Sequence, residues 1–357
     1  MLPFAPIFEL RRGQIVESIH HGAAAIVDST GRLLAWYGSP QAVIFLRSSA
    51  KPFQALPFVE RGGLQTFGLT RRELALICAS HDGSDMHVAA IEGIQAKVGI
   101  QESQLLCGIH LPNDRSVLEA LIKSGKKPTP NRNNCSGKHS GMLAHAKMRG
   151  LPLDTYLDLK HPVQQDILVS LAEMCGIAPE KIELGIDGCS APNFAIPLYN
   201  AALGYARLCD PRDLPKPRGE ACHTITTAMT AHPEMVEGPG GFDTCLMETG
   251  HGRILVKGGA EGFQAIGLMP GAVSPASPGI GIVLKVADGD ISLHTLEGIA
   301  YNRVRPAVTL EILHQLDALS KEQLTSLERF GPVKPVKNHR GLIVGESRPV
   351  IKLEKAD

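Results

Sequence analysis

Apolar residues fall into two regimes along the chain: short runs at both ends and helix-spaced repeats between them. Near the start, Ala23–Asp28 and Arg32–Tyr37 are apolar runs separated by Ser29-Thr30-Gly31, a turn-forming group, and predict a hairpin. From Ser49 the spacing becomes helical. Ser49 is expected to cap a helix running through Phe58, and Thr70 the next one, with Glu73 at the capping-box position. Asp85–Val98, Ser116–Lys123, Met142–Met148 and Val163–Cys175 read as further helices. Between Pro128 and Gly141 the run PTPNRNNCSGKHSG is rich in Asn, Gly and Pro and reads as a loop. In the last third, Arg253–Val256, Phe263–Leu268 and Gly281–Val286 are short strand-like runs separated by glycines. Residues beyond Ser347 read as a final edge strand or a frayed tail.

Strands, a long helical middle, then strands again predict an α/β (α+β) fold. It has a central antiparallel sheet built from both chain ends, flanked by helices, with a helical lobe beside it. No Pro/Ser-rich linker and no internal repeat divides the chain. Residues 1–357 are therefore expected to form one domain, with sheet segments at about 10–60 and 250–350 and a helical middle at about 61–249.

Composition narrows the partners. The 357 residues are 43% hydrophobic and 20% charged, a globular balance. Lys+Arg and Asp+Glu are equal at 36 each, which leaves no electrostatic footprint for nucleic acid or an anionic membrane. Aromatics are 4%, with a single Trp, so stacking platforms for bases are scarce. No apolar stretch approaches the ~18 residues of a spanning helix. The N-terminus meets Glu9, Arg11 and Arg12 early and does not read as a signal peptide. The cysteines are scattered through a large chain, which suits reduced thiols in a cytoplasm.

The first candidate chemistry is Ser48-Ser49-Ala50-Lys51-Pro52. A serine hydroxyl needs a base to become a nucleophile. A lysine one helical turn later lies on the same face and serves if burial or a cationic neighbour such as Arg47 lowers its pKa. Pro52 suits a first helical turn. The same spacing also describes a helix cap with a surface lysine, as in Ser124-Gly125-Lys126-Lys127. What distinguishes Ser48 is its company: the polar loop Cys78-Ala79-Ser80-His81-Asp82-Gly83, and later Lys257-Gly258-Gly259 on a predicted strand. Ser-x-x-Lys, a Ser-led loop and Lys-small-Gly follow in the order of penicillin-binding proteins and serine β-lactamases. Gly258 replaces the usual threonine and Asp82 stands where asparagine is usual, which argues against a β-lactam substrate.

Two further runs, Asn133-Asn134-Cys135-Ser136-Gly137-Lys138-His139-Ser140-Gly141 and Gly185-Ile186-Asp187-Gly188-Cys189-Ser190, each set a cysteine among small turn-forming residues. Two thiolates with His139 or a neutral Lys138 could bind zinc; two buried thiols are the alternative. Asp187 could hold a substrate ammonium or form an Asx-turn with its own backbone. His20, His21, His87, His145 and His314 fall on predicted strands or helices and read as packed or solvated.

The runs RSSAKPFQALP, CASHDGSDMHV, NNCSGKHSGML, DGCSAPNFAIPL and KGGAEG together resemble the rhizobial-type (class 3) L-asparaginases, across roughly residues 10 to 345. The resemblance implies a fold similar to the serine β-lactamases, a homodimer, and hydrolysis of L-asparagine to L-aspartate and ammonia. It implies two serine–lysine pairs, Ser48 with Lys51 and Ser80 with Lys257, as catalytic residues. It also implies a zinc site at Cys135, Lys138 and Cys189 that assists the chemistry. Arg47, His139 and Asp187 lie within the matching runs as substrate-binding candidates. The competing expectations are another serine–lysine hydrolase, acting on a β-lactam, peptide or ester, and a non-catalytic amino-acid or zinc sensor on the same fold.

Overall fold

The computed structural model describes residues 3–290 and 302–356. Its strands are β1 (Ala5–Arg12), β2 (Ile15–Asp28), β3 (Leu33–Tyr37), β4 (Val43–Phe45), β5 (Glu183–Ile186), β6 (Pro192–Pro197), β7 (Ile254–Gly259), β8 (Phe263–Leu268), β9 (Ile280–Val286), β10 (Lys334–Lys337), β11 (Ile343–Pro349) and β12 (Glu354–Lys355). Its first helices are α1 (Lys51–Glu60), α2 (Gly63–Phe67), α3 (Arg71–Ile77), α4 (Asp85–Val98), α5 (Arg115–Ser124), α6 (Ser136–Met148) and α7 (Pro162–Cys175). The remaining helices are α8 (Leu198–Cys209), α9 (Lys216–Ala231), α10 (Pro233–Val236), α11 (Phe242–Thr249), α12 (Val304–Gln315) and α13 (Lys321–Ser326). The chain divides into two compact units, one of Met1–Ile44, Ile196–Asp210 and Thr249–Asp357, the other of Phe45–Ala195 and Pro211–Glu248.

The first unit is the expected antiparallel sheet drawn from both chain ends, in the order β10-β11-β1-β2-β9-β8-β7, with β3 between β2 and β12. The β2–β3 hairpin forms where the apolar runs flank Ser29–Gly31, pairing Ala24 with Tyr37 and Ile26 with Ala35. β8 runs over the residues expected for it, and β7 and β9 reach beyond theirs, to Gly259 and back to Ile280. The stretch beyond Ser347 is partly strand, the end of β11 and then β12. α8 packs on β2, β8 and β9, and α12 on β1, β8, β9 and β11; β8 and β9, covered by both, read as near-continuous apolar runs. Gly281 permits the closest approach: a Cβ there would lie 1.8 Å from the Ala202 carbonyl oxygen.

The second unit is helical. Thr70 and Glu73 form the reciprocal capping box at the start of α3. α1 packs against α6, α7 and α9, and α3 against α6 and α9. Arg218 on α9 reaches Glu60 of α1 and lies 3.1 Å from Glu173 of α7. β5 and β6 form a hairpin whose Phe194 carbonyl accepts the Leu46 amide. Among the described residues no helix is long and apolar enough to cross a membrane.

Two local expectations are corrected. Ser49 does not cap a helix: a 3-10 turn, Arg47–Ala50, precedes α1, and the residue before α1 is Ala50. The glycine-rich loop ends at Cys135, because α6 already begins at Ser136. Its glycines serve contact between helices: a Cβ on Gly137 would lie 2.0 Å from the Leu76 carbonyl oxygen, and one on Gly141 2.6 Å from Ile77 Cγ2.

Candidate active site

The helical unit brings together Arg47, Ser48, Lys51, Ser80, Cys135, Lys138, Asp187 and Cys189. Arg47 opens the turn before α1 in the left-handed region, φ 51°, a conformation that costs a non-glycine residue energy and persists only when neighbours hold it. Here the Arg47 amide donates to Asn193 Oδ1 at 3.1 Å, and its guanidinium pairs with Asp187 at 2.9 Å. Sequence reading did not single out Asn193; its buried side chain in β6 was not distinguishable from an ordinary strand residue.

Ser48 is half-buried on this turn and its carbonyl accepts the Lys51 amide. Lys51 starts α1 with Pro52 beside it in the first turn, as the sequence predicts. Its side chain is only 1% exposed. The amine donates to Ser80 Oγ at 2.9 Å, to the Asn134 carbonyl at 3.2 Å and to the Ala79 carbonyl. Lys51 is thus joined directly to the second serine of the expected pairs. Burial pushes its pKa down; the Cys135 and Cys189 sulfurs oppose that and the Lys138 charge assists it.

Ser80 stands in the loop between α3 and α4. Its amide is held by the Val236 carbonyl at 2.8 Å. His81 accepts the Gly83 amide at Nδ1, so its other nitrogen carries the proton and donates to Ser136 Oγ at 2.9 Å. That bond ties the Ser80 loop to the start of α6.

Cys135 immediately precedes α6, Lys138 lies in its first turn, and Cys189 lies in the loop after β5. Lys138 donates to Cys189 Sγ at 2.9 Å. The Cys135 thiol is held well below its ordinary value, first by a hydrogen bond from Cys189, with burial opposing and the Lys51 and Lys138 charges assisting. Cys189 keeps the proton and is pushed up in turn. Lys138 is raised despite its burial because the two sulfurs and Asp187 surround it. Two sulfurs and one amine are donors suited to a borderline metal. Among the described residues no three His, Cys, Asp or Glu side chains gather closely enough to hold one, so a metal here needs the Lys138 nitrogen.

Asp187 Oδ1 accepts the Gly188 amide at 2.7 Å and also faces the Arg47 guanidinium. Burial raises its carboxyl, but the Lys138 and Arg47 charges outweigh that and hold it low. His139 follows Lys138 in α6; its ring is 0% exposed and its Nδ1 lies 2.6 Å from the Tyr156 hydroxyl. Burial pushes it strongly toward the neutral form. Lys257 lies in the sheet unit, within β7 opposite Ala265 of β8, and is 1% exposed.

The arrangement of a buried lysine bonded to a serine hydroxyl can move a proton between oxygen and nitrogen, as amide hydrolysis requires. Among solved structures the backbone is similar to a protein named Mglu in its native form, at 13% identity and TM-score 0.41, covering 85% of this chain and 66% of that one. This chain thus spans just under two thirds of that structure. It is similar to a probable glutaminase of Bacillus subtilis at 12% identity and TM-score 0.36, covering 84% of this chain and 89% of that one. It is also similar to a β-lactamase of Mycobacterium bovis at 15% identity and TM-score 0.41, covering 83% and 95%. A comparison with curated proteins gave no match. The sequence profile of L-asparaginase II matches residues 8–349, nearly the whole chain, so this protein belongs to the L-asparaginase II family and is an amidohydrolase acting on a small-molecule amide.

Proposed function

We propose that this chain is an L-asparaginase that hydrolyses the side-chain amide of L-asparagine through a serine nucleophile. The observation that carries the mechanism is the buried Lys51 amine, 2.9 Å from Ser80 Oγ and one turn from Ser48. Ser48 Oγ attacks the amide carbon while Lys51 takes its proton. The C–N bond of the tetrahedral species then breaks as the departing nitrogen takes a proton from Ser80, which regains one from Lys51. Ammonia leaves and an aspartyl ester on Ser48 remains. Water attacks that ester by the reverse relay and releases L-aspartate. Lys257 is assigned as partner of Ser80 on the family pattern alone.

The Arg47–Asp187 pair is complementary to the zwitterionic end of an amino acid, the guanidinium to its carboxylate and the carboxylate to its ammonium. We assign both to substrate binding. His139 is assigned to the substrate side on the family resemblance, its Nδ1 meeting the Tyr156 hydroxyl. Cys135, Cys189 and a deprotonated Lys138 would hold zinc, which would supply a fixed positive charge beside the site when bound. A homodimer and a cytoplasmic setting complete the proposal; sedimentation and cell fractionation test them.

Purified protein should release ammonia from L-asparagine, and Ser48→Ala should not. Lys51→Arg should be equally inactive, since arginine cannot give up its proton. Turnover of a chromogenic β-lactam in place of asparagine would move the chain to another hydrolase class.

A further inference from the structure

We propose that His87 is a positioning residue for Ser80, acting through the short turn α10. The proposal rests on the reading of Ser80 as part of the proton relay. His87 lies in the first turn of α4 and is 0% exposed. Its Nε2 is 3.0 Å from the Glu234 carbonyl oxygen, an acceptor only, so this nitrogen carries a proton and donates. Its Nδ1 is 2.8 Å from Asp82 Oδ1 and 2.6 Å from Ser84 Oγ, which fixes the ring from the other side. Two residues beyond Glu234, in the same turn, the Val236 carbonyl accepts the Ser80 amide at 2.8 Å. One ring therefore tethers a four-residue turn whose last carbonyl sets the backbone at Ser80.

The surroundings leave the ring little freedom. His81 stacks on it with centroids 4.9 Å apart and planes 21° from parallel. Asp82 backs onto the chain that leaves α10: a Cβ on Gly238 would lie 2.2 Å from Asp82 Oδ2, and Gly238 adopts φ 135°. Thr244 Oγ1 donates to the Pro233 carbonyl at 3.0 Å and steadies the turn's first residue. Thr244 Oγ1 also donates to the Gly238 carbonyl at 2.7 Å, and the His87–Glu234 bond is the tether that comes from α4. Without the His87 ring the Glu234 carbonyl loses its donor and the part-buried Asp82 carboxylate loses the ring nitrogen 2.8 Å away, so both would rearrange next to Ser80.

His87→Gln keeps an amide donor at about the reach of Nε2, whereas His87→Asn reaches only as far as Nδ1. A merely structural role lowers activity with the folded fraction in both variants. The positioning role lowers kcat for amide hydrolysis in fully folded protein, about tenfold or more for His87→Asn and about threefold for His87→Gln, with KM within about twofold. It also predicts that His87→Asn combined with Ser80→Ala is no slower than Ser80→Ala alone. Losses that multiply in the double variant, or kcat unchanged in His87→Asn, would overturn the positioning role while leaving the relay intact. Should His87→Asn not fold, the same cycle with His87→Gln decides by the same criterion. Full activity of Ser80→Ala would be a separate result: it would remove Ser80 from the relay, and the proposal with it.

Discussion

Replacing Gly137 with alanine tests how tightly the helix that carries Lys138 is set against the helix that leads to Ser80. In an ordinary helix interior this change would stabilise by about 1 kcal/mol, because glycine is the poorer helix former. Here the added methyl would lie 2.0 Å from the Leu76 carbonyl oxygen and 2.8 Å from its carbon. Both are backbone atoms and cannot rotate away. Restoring ordinary contact requires α6 and α3 to separate by about 1.4 Å, and overpacking of this kind costs about 3 kcal/mol. The clash outweighs the propensity gain, for a net loss of about 2 kcal/mol. For a chain of 357 residues that corresponds to a fall in Tm of about 3 °C. Because Cys135 and Lys138 move with α6, turnover should fall by up to about 100-fold, the usual cost of a displacement near 1 Å at a reacting centre. Thermal unfolding followed by circular dichroism, with ammonia release measured on the folded variant, reads both quantities. A Tm equal to or above that of the parent, with unchanged turnover, would refute the reasoning that this contact places Lys138.

Three further outcomes are expected. Burial works to raise the Glu73 carboxyl, but the bonds from Lys97 and Thr70 outweigh it and hold the group below 4.5. A depressed carboxylate stabilises the fold above its unfolded pKa and loses that contribution as pH falls through the folded value. Glu73→Gln should therefore cost about 1 kcal/mol at neutral pH in urea unfolding and show a shallower loss below about pH 4.5; parallel pH profiles would contradict this. Asp187→Asn removes the carboxylate assigned to the substrate ammonium and should lower kcat/KM for L-asparagine by about 10- to 100-fold, mostly through KM; an unchanged KM would remove it from binding. Elemental analysis of purified protein should find zinc, and Cys135→Ser or Cys189→Ser should lose it; equal metal content in parent and variants would show that these thiols are not the ligands.

Much of the frame was legible because local signals and tertiary packing agree. Asp85–Val98 and Phe263–Leu268 were readable to the residue, the first from its 3.6-residue spacing and the second from a glycine-bounded apolar run. The capping box at Thr70 was readable because it is formed by residues adjacent in sequence. Where reading failed, long-range contacts had overridden the local preference. Glycines in the run before Met142 looked like loop formers, yet Gly137 and Gly141 are small so that α6 can lie on α3. Ser49 had the chemistry of a cap, but with the left-handed turn at Arg47, held by Asn193 and Asp187 from far along the chain, the helix starts one residue later, with Ala50 in the cap position. The site was legible as a set of residue types, and Cys135, Lys138 and Cys189 do converge. What spacing could not tell is that Lys51 bonds to Ser80, that His139 meets Tyr156, or that His87 has an acceptor on both sides of its ring.

The central claim is a serine-dependent hydrolysis of L-asparagine, and ammonia release by the parent and by Ser48→Ala, with glutamine as the second amide, tests it most directly. The account predicts release from asparagine by the parent and none above background from the variant. Equal release by both proteins would contradict the assignment of Ser48, and no release from either amide by folded, zinc-supplemented parent would contradict the substrate.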